Sequence, residues 1–201
     1  SHQKALETLV GMMGYDRLRE EQAALREDGV YRGIGFCSMV EVTNPSPMFY
    51  GVGGAPIASQ DGATVRLDAG GGLQISSSVT EQGQGTNAIL AQIAADIFGV
   101  GIERVRVRTG DTETVPYGGG TWASRGAGIG GEAMLQAAEA LKGQVLEVAA
   151  AILQAKPAEL DIRNGHVTDA DGTGRMSLSD LARTVYYRGN ELPSDLKPEL
   201  I

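Results

Sequence analysis

Cysteine and histidine are nearly absent from this chain: among its 201 residues Cys37 is the single cysteine, and His2 and His166 are the only histidines. Zinc, haem and iron-sulfur sites draw their ligands from these side chains, so no such centre can be assembled from the usual donors. A lone thiol also excludes an internal disulfide framework and fits a reducing, cytoplasmic compartment. Basic residues are in deficit, with 17 Lys and Arg against 25 Asp and Glu, a formal charge of -8 and a pI near 4.8. No basic stripe is present for a phosphate backbone to lie on, which argues against nucleic acid as a partner. Long apolar runs are missing too. The longest, Val148 to Leu153, is far short of the roughly 20 residues a membrane-spanning helix needs, and nothing has the form of a signal peptide. Any redox chemistry would therefore rely on a prebuilt cofactor held through amides and hydroxyls.

Glycine, by contrast, is abundant: 29 residues, about twice its average share, concentrated between Gly51 and Gly131. Backbone geometry matters there more than side-chain bulk. At this length the chain can form one large domain or two small ones, and it can bury roughly two-thirds of its unfolded surface.

Two stretches in the glycine-rich region organise the rest. Thr80-Glu81-Gln82-Gly83-Gln84-Gly85-Thr86 is answered further along by Gly118-Gly119-Gly120-Thr121-Trp122-Ala123-Ser124-Arg125-Gly126. Each precedes a run with helical apolar spacing, which places unpaired amides and a partial positive charge at the mouth of a helix. That setting suits an anion or a polar ring system. Glycines let a ligand approach the backbone closely, and the amide of Gln84 both donates and accepts. Taken singly, Gly-Gln-Gly is a tight turn and Gly-Gly-Gly a flexible loop. As a pair, in a chain without metal ligands, they read as two halves of a cofactor cradle.

Along the chain, Leu6, Leu9, Val10 and Met13 predict a helix over 5–13, and a second follows, with Asp16 as N-cap, Leu18 and Leu25 inward and Gly29 as its end. Val30 to Val42 reads as extended, with Cys37 a small buried thiol inside it. Asn44 to Ser59 holds Pro45, Pro47 and Pro56 and reads as an irregular loop whose Met48, Phe49 and Tyr50 are expected under a partner surface. Asp61-Gly62 opens a hairpin with strands around Val65–Leu67 and Leu73–Ser77. Ile89, Ile93 and Ile97, with Leu90, Ala94 and Phe98 beside them, give a helix from Thr86 that Gly99 stops. Arg104, Arg106 and Arg108 alternate with Val105 and Val107 as a strand with one wet face. Met134, Ala138, Leu141, Val145, Val148 and Ile152 mark a long buried helix ending before Pro157; glycines at 126, 128, 130 and 131 would, if helical, admit a close neighbour. Asn164-Gly165 signals a type I′ hairpin with His166 exposed and inert. Ser177 to Asp180 has capping-box spacing and starts a short helix through Leu181 to Tyr187. Strands and helices mixed in this way define an α+β class: one cofactor-binding domain over 1–201, with a helical lead-in at 1–29 and a main body at 30–201. The end at Ile201 lacks a stop signal, as expected of a segment of a longer subunit, and Ser1-His2 reads as a cloning remnant.

The run Thr80 to Gly85, the helix ending at Phe98-Gly99-Val100, the stretch Thr109-Gly110-Asp111-Thr112-Glu113-Thr114-Val115-Pro116-Tyr117-Gly118 and Gly120-Thr121-Trp122-Ala123-Ser124-Arg125 together resemble the molybdenum-cofactor-binding subunit of the xanthine dehydrogenase, aldehyde oxidase and aerobic carbon monoxide dehydrogenase family. Order and spacing match over roughly Ala5 to Leu196, most strongly between Asp61 and Val148.

The resemblance implies molybdopterin, in its cytosine dinucleotide form, as cofactor. Gln84, flanked by Gly83 and Gly85, would hydrogen-bond it near the pterin. Ala123, Ser124, Arg125 and Gly126 would supply amides and the Ser124 hydroxyl to the pterin and phosphate parts, with Arg125 on the pyrophosphate. Some relatives have a serine where this chain has Gly126. The metal would be held by the pterin's sulfurs, in keeping with the missing protein ligands. The family's glutamate base would lie beyond Ile201 and the domain lining the other side of the metal before residue 1, so this chain carries no catalytic residue, and Glu81 and Glu132 do not substitute. The implied partners are the remainder of the molybdenum subunit, FAD and [2Fe-2S] subunits or domains, and a small-molecule substrate hydroxylated at carbon. The competing reading is a non-catalytic nucleotide-binding or interaction module.

Overall fold

The computed structural model describes residues 1–50, 54–196 and 200–201, and these divide into two units, residues 1–41 and 42–201. In the first unit, helix α1 (His2–Met12) starts at Ser1, whose hydroxyl accepts from the Lys4 amide. Gly14 reverses the chain at φ 61° into α2 (Tyr15–Glu27). Residues 30–41 then turn back onto α2: Gln22 donates to the Arg32 carbonyl, and the Tyr15 and Phe36 rings lie 5.4 Å apart. The first unit thus holds residues 30–41 together with the two helices.

Residues 30–42 are in no strand ladder among the described residues, and Tyr31, Met39 and Val40 are exposed. Cys37 is exposed and free, contrary to the expected buried thiol. A strand side chain is buried by the ladder and layer around it, and among the described residues this segment joins no ladder.

The second unit is built on a three-stranded sheet, β1 (Ala63–Leu67), β2 (Leu73–Ser77) and β3 (Val105–Thr109), in the order β1-β2-β3. The β1–β2 hairpin is antiparallel, and β2 pairs with β3 in parallel. A parallel neighbour requires a crossover, which α4 (Thr86–Phe98) provides before Gly99 ends it at φ 55°. Val65, Leu67, Leu73 and Ile75 point inward, beneath α4 and the long helix α5 (Gly131–Leu153). The sheet's other face is polar. Arg104 lies outside β3, in a 3-10 turn at 102–104, and its guanidinium donates to the Gly70 carbonyl at 2.5 Å. Arg66 of β1, and not Arg104, therefore joins Arg106 and Arg108 on the wet face.

The stepped apolar residues of α5 are buried as their spacing predicts, with Met134, Ala138, Leu141, Val145 and Val148 at 0–3% exposure, and Gln154 caps its end. On α4 the buried column is Leu90, Ala94 and Phe98, while Ile89, Ile93 and Ile97 are half-buried. A second antiparallel sheet, β4 (Leu160–Arg163), β5 (His166–Asp169) and β6 (Gly174–Ser177), follows. Asn164 and Gly165 both have positive φ, 49° and 70°, as a type I′ turn requires, and His166 is exposed. Ser177 caps α6 (Leu178–Tyr187) by accepting from the Asp180 amide, and its hydroxyl donates to the Asp180 carboxylate. The architecture is α+β. Within the expected irregular loop at 44–59, Pro47–Tyr50 forms a short helix, α3. Among the described residues no helix is long and apolar enough to cross a membrane, and no group of acidic, His or Cys side chains could hold a metal ion.

Candidate functional site

The two glycine-rich stretches meet. Strand β2 delivers the chain to Thr80, whose amide donates to Thr121 Oγ1 at 2.6 Å and whose carbonyl accepts from the same hydroxyl at 2.8 Å. The Gln82 side chain donates to the Thr121 carbonyl. A side chain bonded at once to a backbone donor and acceptor of a distant loop fixes position and orientation together, because both directions of the hydroxyl are used.

The first loop is occupied by its own side chains. Glu81 Oε1 accepts from the amides of Gly83 and Gly85, both at 2.9 Å, and Oε2 accepts from Asn87 at 3.0 Å. These amide bonds, that of Asn87 foremost, hold the Glu81 carboxyl below the usual carboxylate range. The mouth of α4 thus already has its anion, and a phosphate could sit there only by displacing Glu81. Gln84 remains exposed; its Oε1 accepts from the Gln82 amide, and its Nε2 donates to the Thr80 carbonyl and to Thr86 Oγ1. Of the two ligand types that the sequence suggests for this loop, the anion is already supplied from within the chain by Glu81.

The second loop is anchored from beneath. Arg125, expected to reach a pyrophosphate, points inward with 0% side-chain exposure. Its Nε and Nη2 donate to Asp61 Oδ2 at 3.1 and 2.5 Å, and Nη1 donates to the Tyr50 hydroxyl and the Ala58 carbonyl. The guanidinium also lies over the rings of Tyr50 and Trp122, at 5.4 and 5.7 Å. Four of its five N–H donors have these partners and the side chain has no exposure, so the guanidinium serves the interior of the loop and does not reach a ligand at the surface. Asp61, read from sequence only as the opening of a strand, is the hub: Oδ1 accepts from Ser78 Oγ and from the Gly120 amide, and Oδ2 receives the guanidinium. A carboxylate buried with its charge partner and two further donors is fully satisfied, as burial demands.

Above this anchor the backbone is strained. Ala123 and Ser124 are consecutive non-glycine residues at φ 46° and 53°, a left-handed pair that persists only where the surroundings impose it and that concentrates at ligand sites. Gly126–Gly130 then forms one π-helical turn leading into α5, a distortion often found at functional sites. The turn packs tightly: a Cβ on Gly130 would lie 2.8 Å from Val79 Cγ1. A Cβ on Gly126 would lie 3.3 Å from Thr86 Oγ1, the hydroxyl that Gln84 also binds, so Gln84 and Gly126 flank one point. No side chain caps this turn, and Ala127 and Gly128 are exposed at its start. The amides of Ile129 and Gly130 bond the Arg125 carbonyl, but among the described residues no carboxylate sits on those of Gly126, Ala127 and Gly128 as Glu81 does at α4.

Phe49 and Tyr50, expected beneath a partner, pack instead on Trp122, with ring centroids 5.6 and 5.7 Å apart, while Met48 stays exposed. Trp122 Nε1 is a buried donor without an acceptor among the described residues. A second such atom, Thr168 Oγ1, lies in the second sheet, well separated in sequence. Sequence could not pair position 61 with 125, because no local spacing links them; the one available signal was that an arginine amid glycines and small residues requires a carboxylate wherever it is buried.

A fold with molybdenum-hydroxylase relatives and converging amide-rich loops defines a molybdopterin cofactor-binding domain, and the model of the family so described matches residues 8–197. The chain is 31% identical over 198 residues to the nicotine 6-hydroxylase large subunit of Paenarthrobacter nicotinovorans, covering 98% of this chain and 24% of the relative. It is 30% identical over 204 residues to the carbon monoxide dehydrogenase large chain of Hydrogenophaga pseudoflava, with 98% and 24% covered. Its structure superposes on that of quinoline 2-oxidoreductase from Pseudomonas putida 86 with a TM-score of 0.70 at 30% identity, covering all of this chain and 25% of the other. The chain belongs to the molybdenum-binding subunits of the xanthine dehydrogenase family. It spans about a quarter of the length of these relatives.

Proposed function

We propose that this chain is the part of a molybdenum hydroxylase that grips molybdopterin between its two loops, and that the intact enzyme hydroxylates a carbon centre of a small molecule. The observation that supports this reading is the junction at Thr80–Thr121, which ties the loop of Gln84 to the loop of the strained Ala123–Ser124 pair. When bound, the group supplies the redox centre at which oxygen derived from water is transferred and two electrons are taken up. The chain's own residues bind and orient. Gln84, with room made by Gly83 and Gly85, meets the edge of the pterin. Ala123, Ser124 and the amides of Gly126 to Gly128 take the pterin and phosphate parts, because of the two loop-to-helix entrances this is the one without a carboxylate on its amides. Arg125 contributes by fixing the loop. The cytosine dinucleotide form, companion subunits or domains carrying [2Fe-2S] clusters and FAD, and a cytoplasmic setting complete the proposal. The catalytic base would lie outside this chain, and residues 1–201 alone would not turn over.

Gln84→Ala in the full-length polypeptide is expected to weaken cofactor retention by one hydrogen bond, about 1 to 2 kcal/mol, or roughly five- to thirtyfold in affinity. Molybdenum and pterin content, measured on protein expressed under limiting cofactor, reads this directly. Unchanged occupancy would remove Gln84 from the site.

A further inference from the structure

Antiparallel pairs can leave one face to water, whereas parallel pairs are seldom left so. In this mixed sheet α4 and α5 pack on one face, and among the described residues no helix packs on the other. The other face surrounds a hollow of about 320 Å³ lined by Thr64, Arg66, Gln74, Ser76, Arg106 and Arg108. Register orders these side chains in two rows across the strands. Arg66 pairs with Gln74, which pairs with Arg106; Thr64 pairs with Ser76, which pairs with Arg108. Acidic residues outnumber basic ones in the chain, but none of the three guanidinium groups has a carboxylate partner among the described residues. Arg66 makes only a 3.3 Å bond to Gln74. Ile75, Thr114 and Ile201 also line the hollow, Ile201 exposed. The side chains that rise from the strands on this face are nonetheless polar and three of them are guanidinium groups, so charge dominates what it recognises.

Two residues along a strand are separated by roughly 7 Å. That spacing between Arg106 and Arg108 equals the spacing between alternate side chains of an extended segment, and planar guanidinium groups pair with carboxylates in bidentate fashion. We propose that this face docks an extended segment with carboxylates at alternate positions, belonging to the part of the same polypeptide outside residues 1–201. The same polypeptide is favoured because the chain spans about a quarter of its relatives, so such a segment would be tethered at high effective concentration. The inference is independent of the cofactor cradle and stands on the sheet, its charge and that share of length.

The test uses the full-length polypeptide in its native assembly. Carbodiimide joins carboxylates to lysine amines and leaves arginine untouched, so R106K and R108K convert the face into a reporter. Mass spectrometry is expected to find isopeptide links from positions 106 and 108 to Asp or Glu outside residues 1–201 of the same polypeptide. Links confined to carboxylates within 1–201, links to a companion chain, or no links would overturn the proposal. As a second measure, R106E/R108E is expected to lower the thermal midpoint of the assembly at low salt, with a smaller difference in about 1 M salt, where the screening length is about 3 Å. Equal midpoints at low salt would also overturn it.

Discussion

Replacing Asp61 with alanine is expected to lower folding stability by about 3 to 5 kcal/mol, because it leaves the Arg125 guanidinium buried without a counter-charge. The geometry behind this figure is unusual for an ion pair. Both side chains have 0% exposure, and Asp61 also binds Ser78 and the Gly120 amide. A surface pair such as Arg32–Glu21, with each side chain about half exposed, would contribute about 1 kcal/mol at most. Asp61→Asn keeps the shape and part of the hydrogen bonding but not the charge, so its loss falls between the wild type and Asp61→Ala. The double variant Asp61→Leu/Arg125→Met removes both charges and is expected to be less destabilised than Asp61→Ala, since residues in one network do not act additively. Equilibrium urea unfolding of the four proteins measures this. Because Gly120 to Arg125 hangs from Asp61, cofactor content of the full-length polypeptide should fall with stability in Asp61→Ala. Stability within about 0.5 kcal/mol of the wild type, the range of ordinary surface changes, would mean that the pair does not hold the loop.

Thr121→Val carries the second-largest expected effect. Valine matches threonine in shape but leaves the Thr80 amide without its acceptor, while the Thr80 carbonyl keeps only the Gln84 donor. An unmet polar group costs about 1 to 3 kcal/mol when buried, and Thr80 is half-buried, so a loss near 1 to 2 kcal/mol is expected. More telling is the distinction from Thr121→Ser, which keeps the hydroxyl and is expected to stay close to wild type in both stability and cofactor retention. Thermal unfolding and pterin content of the three proteins would show it. A valine variant that retains cofactor as well as the serine variant would mean that the contact does not align the two loops.

Much of this could be read from the residues because it is local. The apolar steps of α4 and α5, the Asn164-Gly165 turn and the Ser177 cap each follow from spacings of a few residues, and each is observed. No local spacing links Thr80 and Thr121, so in the sequence the pairing of the two loops rests on their shared glycine-rich pattern, the missing metal ligands and the resemblance to a family. The roles within the loops were not legible. Arg125 looks from sequence like a ligand for phosphate, but Asp61 claims it; the amides before α4 look free, but Glu81 occupies them. In both cases the chain's own carboxylate satisfies a group that periodicity leaves open, and tertiary placement alone decides which carboxylate reaches which donor. Cys37 differs for another reason: the segment around it reads as extended with a small buried thiol, but residues 30–42 join no strand ladder among the described residues and Cys37 is exposed.

The central claim is that two distant loops jointly hold one large organic cofactor that brings its own metal. The most direct measurement is the pterin and molybdenum content of the full-length polypeptide, purified in its native assembly from a molybdenum-replete host. The account predicts extractable molybdopterin and molybdenum in amounts equal to the polypeptide, both reduced together by Gln84→Ala and Thr121→Val. A correctly folded assembly containing neither would contradict it.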